Sequence, residues 1–141
     1  MTIQIKYHAP IEKIERLEQG DCIDLRAAED VTLKAGEYRL ISLGVSMKLP
    51  KGFEAHIVPR SSTFKTWGIL QTNSMGVVDE SYAGENDIWR MPVYAVRDTQ
   101  IRRNDRICQF RVVEKMPPVT FEEVDTMDAD SRGGFGSTGM R

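Results

Sequence analysis

The sequence predicts an all-β domain, a jelly-roll-like barrel or sandwich with one short helix and a glycine-rich C-terminal tail. Three observations support this fold class. Short segments of alternating apolar and polar residues recur along the 141-residue chain, turn residues separate them at fairly regular intervals, and one short segment breaks the pattern. Many short strands joined by turns are typical of sandwiches, jelly rolls and barrels.

Seven segments carry the strand pattern. Alternation predicts strands at residues 3–7, 38–43, 45–49, 54–58, 93–96, 106–112 and 119–121. Turn residues fall between them at 35–36, 50–52, 82–84 and 103–105. After residue 124 the pattern ends in an acidic stretch, which is typical of a flexible tether. We therefore predict a β domain over 1–124, and a flexible tether and active-site lid, within the same domain, over 125–141.

The one helical segment is 61–68. Ser61 or Ser62 is a suitable N-cap, and Gly68 is a suitable residue to end the helix. Pro59 and Arg60 precede it, so free backbone N–H groups, hydroxyls and a guanidinium converge at its start. That combination favours an anion site, while a capped surface turn is the alternative.

The tail at 131–141 combines glycines, hydroxyl residues, arginines and a single aromatic side chain. Glycines let backbone N–H groups approach phosphate oxygens, hydroxyls donate hydrogen bonds to them, and arginine counters their charge. Phe135 offers a ring that can stack on a base. The tail therefore suits a loop that closes over a phosphorylated aromatic ligand, and a frayed terminus is the alternative.

Composition narrows the class of protein. A net charge of -2 argues against a general nucleic-acid binder. No window approaches the ~18 apolar residues that span a bilayer, and no basic region followed by an apolar stretch begins the chain, so we expect no membrane association. Cys22 and Cys108 are expected to be thiols of a cytoplasmic protein, and no paired Cys or His spacing fits zinc.

Two segments hold candidate functional residues around a ligand. Alternation makes Asp24 point away from its apolar neighbours, where a carboxylate can hold the water shell of a metal or simply face solvent. Asn73 and Gly76 form a turn whose amide and backbone can read the polar edge of a base. Asp79 ends an apolar run at a loop, where a carboxylate can act as a general base, and Tyr82 follows nearby. A hairpin with a turn Asp and a packing Tyr is the alternative.

A third segment contains Arg106 and Gln109. Both side chains are suited to contact a ligand, but strand alternation puts them on opposite faces unless the strand is bulged or twisted.

The order of these segments carries a family resemblance. They read Asp-Leu-Arg-Ala-Ala from 24, Pro-Arg-Ser-Ser from 59, Gly-Val-Val-Asp-x-x-Tyr-x-Gly-Glu from 76, Asp-Arg-Ile-x-Gln from 105 and Gly-Gly-Phe-Gly-Ser-Thr-Gly from 133. This series resembles the five ordered motifs of the homotrimeric dUTPase family, from about residue 24 to residue 139.

The resemblance implies hydrolysis of dUTP to dUMP and pyrophosphate, which limits uracil in DNA and supplies dUMP for thymidylate synthesis. It implies Mg²⁺ as cofactor, with Asp24 in its outer shell through water, and Asp79 as the catalytic carboxylate that activates the attacking water. It also implies a homotrimer with shared active sites. We expect no stable nucleic-acid binding, and a regulatory protein partner remains open.

The resemblance assigns the remaining residues to substrate binding. The predicted base and sugar contacts are Asn73, Gly76, Val78 and Tyr82. The predicted phosphate contacts in the body of the domain are Arg60, Ser61, Ser62, Arg106 and Gln109. The predicted contacts from the tail are Arg132, Phe135, Gly136, Ser137 and Thr138.

Two positions depart from the family pattern. Arg132 lies three residues before Phe135, where most members place the arginine five residues before, so another arginine such as Arg141 is an alternative phosphate clamp. Ser62 stands where the family usually has glycine. Two other functions stay open: a dCTP deaminase, which resembles dUTPases in fold, and a sensor that binds the nucleotide without turnover.

Overall fold

Antiparallel pairing of short strands builds the fold. The computed structural model describes residues 1–134, and within them eleven strands and one helix form. In chain order they are β1 (Gln4–Tyr7), β2 (Ile23–Arg26), β3 (Val31–Leu33), β4 (Tyr38–Ser42), β5 (Val45–Lys48), β6 (Phe53–Pro59), α1 (Thr63–Trp67), β7 (Ile69–Gln71), β8 (Gly76–Val78), β9 (Arg90–Ala95), β10 (Thr99–Ile101) and β11 (Arg106–Glu114). The prediction of an all-β chain with one short helix is confirmed.

The strands form four antiparallel sheets. A four-stranded sheet has the order β2-β11-β6-β8, and a three-stranded sheet has the order β4-β9-β7. Two further pairs, β1 with β5 and β3 with β10, complete the described part of the chain. The many pairs that join strands far apart in sequence are typical of jelly-roll connections. No helix among residues 1–134 is long and apolar enough to cross a membrane.

Six of the seven predicted strands match observed ones, and the strand at 119–121 is wrong. The chain leaves β11 at Glu114, passes Pro117 and Pro118, and pairs with no strand beyond that point within residues 1–134. Phe121 is 95% exposed there. A strand needs a partner for its backbone groups, and alternation in sequence does not supply one.

Strands β3, β7, β8 and β10 were not predicted as strands, and β2 was inferred only from the alternation around Asp24. Each of the four has three residues, which is too short for an alternating pattern to be recognised.

Buried aliphatic side chains from the sheets form one core around two aromatic rings. Trp89 and Phe110 are almost fully buried and meet edge to face, with centroids 5.2 Å apart and planes at 83°. This geometry places the positive ring edge against the negative ring face. Phe110 belongs to β11, so the core is centred directly beneath the four-stranded sheet.

The helix α1 begins at Thr63, directly after Ser62, which is one of the two predicted N-cap residues. Ser62 occupies the N-cap position but makes no side-chain cap hydrogen bond. Instead the buried Thr63 hydroxyl accepts from the Arg60 backbone N–H (2.8 Å) and donates to the Ile107 carbonyl (3.0 Å). Gly68 ends the helix in the left-handed region (φ 63°), as predicted. Thr63 therefore ties the start of α1 to β11.

We expect Phe110→Ala to lower the free energy of unfolding by about 3–5 kcal/mol, because the surrounding core cannot fully close the cavity. Phe64→Ala, at the half-exposed ring of α1, is the matched control, and it should cost less than half as much. Urea unfolding of both variants at one protein concentration measures the difference. Equal losses would contradict a core centred on Phe110.

Candidate active site

The four-stranded sheet carries two separate groups of predicted site residues. The first group lies at one end of the sheet, around β2, the start of β11 and the end of β6; we call it the arginine pocket, and it comprises Asp24, Arg60, Ser61, Arg106 and Gln109. The second group lies on residues 73–82, which comprise the turn after β7, strand β8 at the sheet edge and the loop that follows it; we call this segment the hairpin, although β7 and β8 pair with different strands. It comprises Asn73, Gly76, Val78, Asp79 and Tyr82.

The arginine pocket has a volume of about 450 Å³ and is covered on one side by the loop at residues 13–22. Arg60 Nε lies 3.1 Å from Asp24 Oδ1, and Arg106 Nη1 lies 3.5 Å from Asp24 Oδ2. Arg60 Nη1 also donates to the Arg106 carbonyl (3.0 Å). Two guanidinium groups thus share one carboxylate, and the remaining positive charge favours an anion.

A β-bulge puts Arg106 and Gln109 into the same pocket. The register between β11 and β2 shifts between Arg106 and Cys108, and Ile107 and Cys108 are both buried. One extra residue reverses the alternation, so the side chains on either side of the bulge reach one face. Gln109 is further held by its Nε2, which donates to the Pro59 carbonyl (3.2 Å). The sequence predicts opposite faces for Arg106 and Gln109 unless the strand is bulged, and the strand is bulged.

The two serines before α1 differ in placement. Ser61 is exposed and lines the arginine pocket, whereas Ser62 is half-buried at the N-cap position and does not line it. Backbone geometry therefore puts the Ser61 hydroxyl and the Arg60 guanidinium on the same pocket.

Cys108 lies beneath the arginine pocket, but its thiol is not placed to react with a ligand there. The side chain is fully buried, and burial raises the pKa of its thiol far above the ordinary value. A neutral buried thiol acts as a small apolar group.

The hairpin presents an ionised carboxylate at the sheet edge. Asp79 Oδ1 accepts a hydrogen bond from the Ser81 backbone N–H (2.9 Å), and the Asp79 carbonyl accepts from the Tyr82 N–H (3.0 Å). The bonds from Ser81 lower the pKa of Asp79 below its ordinary value of 3.8. At neutral pH this exposed group is therefore a carboxylate, the form that can accept a proton.

Tyr82 and Val78 flank Asp79. The Tyr82 hydroxyl donates to the Ile88 carbonyl (3.1 Å), which fixes the ring next to the turn while leaving it 38% exposed. Val78 is buried and pairs with Ala55 of β6.

A second carboxylate braces the hairpin from behind. Glu80 accepts from the Gly52 backbone N–H and from Lys115 Nζ (2.9 Å). These two donors lower the pKa of Glu80 and the partnership raises the pKa of Lys115. The hairpin is thus tied to the β5–β6 turn and to the end of β11 immediately beside Asp79.

The two groups do not meet within one chain. Asp79 follows Val78, whose partner Ala55 pairs with Val112, whereas Gln109 lies three residues earlier on β11 and two strands away from β8. Strand rise and spacing put Asp79 and Gln109 on the order of 15 Å apart. A single phosphate cannot touch both side chains at that separation.

The tail contributes little to either group in the described residues. Arg132 is exposed and forms no hydrogen bond or ion pair with residues 1–134. The predicted contacts Phe135, Gly136, Ser137 and Thr138, and the alternative clamp Arg141, lie outside the described residues.

The chain's own donors form no metal centre in the described part: no group of three or more His, Cys, Asp or Glu side chains converges within residues 1–134. Asp24 is the one predicted metal contact, and it already holds two guanidinium groups. A lone carboxylate fits Mg²⁺ when phosphate oxygens and waters supply the other ligands.

Sequence reasoning missed several residues that shape the site. Gln71, Glu80 and Lys115 orient the hairpin, and Thr63 positions the start of α1. The loop at 13–22 covers the arginine pocket although its sequence has no recognisable pattern. No local sequence signal marks Gln71 or Thr63, because the role of each is defined by a backbone carbonyl on another strand.

The family model and the curated relatives that match this chain all point to the same family. The family model for dUTPase matches residues 9–139. The SPbeta prophage-derived deoxyuridine 5'-triphosphate nucleotidohydrolase YosS of Bacillus subtilis is 58% identical over the full length of both chains. The deoxyuridine 5'-triphosphate nucleotidohydrolase of Finegoldia magna is 39% identical over 95% of this chain and 94% of its own.

Solved structures agree on the fold. A mutant dUTPase of Staphylococcus bacteriophage 80alpha with dUpNHpp has a TM-score of 0.81 at 20% identity, covering 98% of each chain. A mutant dUTPase from phage phi11 of S. aureus, described with a structural Mg(II) ion, has a TM-score of 0.75 at 18% identity, covering 92% of this chain and 100% of that one. The jelly-roll part of the predicted fold class is confirmed.

The family model and the named relatives identify the chain as a nucleotide hydrolase. The chain belongs to the dUTPase family, which is the family that its five motifs resemble. Its named relatives are dUTP diphosphatases, so the predicted class of enzyme is confirmed.

The Glu80 brace predicts a pH-dependent stability. Because the pKa of Glu80 is lowered in the folded protein, its stabilising effect is complete above the ordinary value of 4.5 and is lost as pH falls through the lowered pKa. We expect Glu80→Gln to lower Tm at neutral pH, and the difference from wild type to shrink toward about pH 3.

Thermal unfolding across this pH range measures the effect. Glu114→Gln, which changes an exposed neighbouring carboxylate, is the control. Its Tm should differ only slightly from that of the wild type at every pH, because Glu114 does not take part in the brace. A Glu80→Gln deficit that stays constant from neutral to acid pH would contradict the ionic role of Glu80.

Proposed function

We propose that this protein hydrolyses dUTP to dUMP and pyrophosphate, with Asp79 as the base that activates the attacking water. The observation that carries the proposal is the ionised, exposed Asp79 carboxylate held by Ser81 on the hairpin that also bears Asn73 and Tyr82. The match of the dUTPase family over residues 9–139 supports the same reaction.

The hairpin recognises the nucleoside in this proposal. Asn73 and the backbone beside Gly76 hydrogen-bond the edge of uracil, and Val78 supports the strand beneath them. The half-exposed Tyr82 ring packs against the deoxyribose, where a flat side chain leaves no room for a 2′-hydroxyl. Selection of base and sugar thus comes from one short, braced element.

The arginine pocket holds the phosphates. Arg60, Arg106, Ser61 and Gln109 supply donors to phosphate oxygens. Ser62 lies next to them at the N-cap position, with its hydroxyl not used in capping, and contacts the phosphates from there in this proposal. Asp24 would hold the water shell of a Mg²⁺ ion bound with the substrate, and that ion would supply charge neutralisation of the triphosphate. Phosphoryl transfer depends mainly on such positioning and charge neutralisation.

The chemical step needs one water and one base. Asp79 accepts a proton from a water as the water oxygen forms a bond to the α-phosphorus. The bond from the α-phosphorus to the bridging oxygen breaks, and pyrophosphate leaves with the bonding electron pair. The bridging oxygen leaves with pyrophosphate, and the new oxygen on the phosphate of dUMP comes from water.

The separation of Asp79 from Gln109 supports an active site shared between subunits. Since the two residues lie on the order of 15 Å apart within a chain, both side chains can reach the same phosphate group only when they come from different copies. The exposed apolar side chains of Val119, Phe121 and Val124 supply surface for packing on another copy. We propose a homotrimer on this basis, in line with the family.

The tail completes the site in the proposal. Residues 125–141 act as the lid of the 1–124 domain, with Phe135 on uracil and Gly136, Ser137 and Thr138 on the phosphates, and with Arg132 or Arg141 as clamp. A loop that closes over the substrate excludes water from the triphosphate.

The product dUMP serves thymidylate synthesis, and removal of dUTP keeps uracil out of DNA. Free thiols at Cys22 and Cys108 support a cytoplasmic location.

We expect Asp79→Asn to reduce kcat for dUTP by about 10²-fold or more while leaving nucleotide binding in place, because the amide keeps the shape but cannot accept the proton. Pyrophosphate release from dUTP, dCTP, dTTP and UTP in Mg²⁺, with ammonia followed in parallel, measures it. EDTA should stop turnover and added Mg²⁺ should restore it.

Glu114→Gln serves as the charge-matched control and should keep wild-type turnover. Ammonia from dCTP would favour the deaminase, and tight dUTP binding by the wild type without pyrophosphate release would favour a sensor. An active Asp79→Asn would remove Asp79 as the base.

Shared sites predict complementation between two inactive variants. Asp79→Asn and Gln109→Ala homotrimers should each be nearly inactive, yet trimers assembled from an equal mixture should regain activity, since about a quarter of the sites then combine an intact Asp79 with an intact Gln109. Refolding the mixture together and assaying dUTP turnover tests this expectation. Mixing the folded homotrimers without exchange is the control, and a refolded mixture no more active than that control would contradict shared sites.

A further inference from the structure

Gln71, which no motif includes, lies at the end of β7 directly before the substrate hairpin. Its side chain is 8% exposed, yet it carries a full amide into the protein interior. Gln71 Nε2 donates to the Ile57 backbone carbonyl (2.9 Å) and also to Asn73 Oδ1 (2.9 Å). One buried amide group therefore links the β6 backbone to the proposed base-reading side chain.

The Ile57 carbonyl sets the orientation of both amides. A backbone carbonyl can only accept, so the Gln71 atom facing it must be the nitrogen. The second hydrogen of that nitrogen then points at Asn73, and the Asn73 atom that receives it must be the oxygen. The orientation of Asn73 is thus fixed by a backbone group on a neighbouring strand.

This arrangement leaves Asn73 presenting a donor. With Oδ1 occupied, Nδ2 is the amide atom left to donate, and it lies beside Gly76, 3.4 Å from where a Cβ on that glycine would be. The backbone of the turn is constrained as well: the Ser74 N–H donates to the Gln71 carbonyl (3.1 Å), and Ser74 has a φ of 59°. The donor has little freedom to turn away.

Packing alone does not account for an amide at position 71. Gln71 Oε1 is buried and has no hydrogen-bond partner in the described residues, which is unfavourable compared with an apolar side chain of the same length. The gain that offsets this cost is the control of Asn73.

We infer that Gln71 is a positioning residue for base selectivity: by fixing the Asn73 amide, it makes the hairpin accept a base with a carbonyl oxygen at C4 and reject one with an amino group there. The inference rests on the proposed function. Uracil offers an oxygen to the Asn73 Nδ2–H donor, whereas cytosine would bring its own donor against it, leaving both unpaired.

The test compares the binding of dUMP and dCMP by calorimetry in wild type, Gln71→Met and Ile69→Val. Methionine keeps the length of Gln71 but removes both donors, which frees the Asn73 amide to rotate. We expect Gln71→Met to lower the dUMP-over-dCMP preference about tenfold, the ratio that one correctly oriented hydrogen bond provides. Ile69→Val perturbs the same buried strand without touching the amides, and it should leave the ratio unchanged.

A second variant separates orientation from packing. In an Asn73→Ala background, Gln71→Met should produce no further change in the ratio, because the side chain that it orients is absent. An unchanged ratio in Gln71→Met, or the same loss in Ile69→Val, would overturn the inference. If Gln71→Met does not fold by thermal melting, Gln71→Leu, which likewise carries no donor, takes its place with the same expectation.

These outcomes are distinct from failure of the proposed function. A wild-type protein that prefers dUMP but releases no pyrophosphate from dUTP would refute hydrolysis while the binding ratios still test Gln71. A wild-type protein with no preference between dUMP and dCMP would overturn the selectivity role directly.

Discussion

The pairing of β6 with β11 is the interaction on which the rest of the site depends. It runs without interruption from Cys108 opposite Pro59 to Glu114 opposite Phe53. At one end it puts Arg60 and Ser61, which follow β6, beside the first residues of β11. At the other end it brings Lys115 to the hairpin that carries Asp79. Because strand spacing and rise are fixed, the same pairing that assembles each half of the site also holds the halves apart. The proposal of a site shared between copies rests on this separation.

The bulge at the start of β11 shows how one irregular residue changes the chemistry of a face. A regular strand would put Arg106 on the buried face, with Cys108 and Phe110, and Gln109 on the opposite face. The extra residue buries Ile107 and Cys108 in succession and returns both polar side chains to the pocket. Thr63, through the Ile107 carbonyl, then locks α1 against the bulged segment. The pocket is thus held by backbone contacts, and its arginines need only pair with Asp24.

The sequence was sufficient for the fold class and the ordered motifs, because those depend on local patterns. Alternation located β4, β5, β6, β9 and β11, and Gly68 marked the end of α1 by its left-handed conformation. What depends on long-range pairing was out of reach. The predicted strand at 119–121 has the right residues and no partner within the described chain. Likewise Gln71 is informative only once β6 lies beside it, since its role is defined by the Ile57 carbonyl fourteen residues earlier.

Asp24 pairs with the two arginines of the pocket and, in the proposed reaction, also faces the metal. Without a nucleotide, its carboxylate holds Arg60 and Arg106 at 3.1 and 3.5 Å, so that two guanidinium groups stay close together despite their mutual repulsion. Groups held in this way need little rearrangement when phosphate arrives. In the proposed function, a divalent cation bound with the triphosphate would give the carboxylate a second partner and would leave the guanidinium groups to bind phosphate oxygens. The same aspartate would then both organise the two arginines and face the metal, while phosphate oxygens and waters would supply the other ligands.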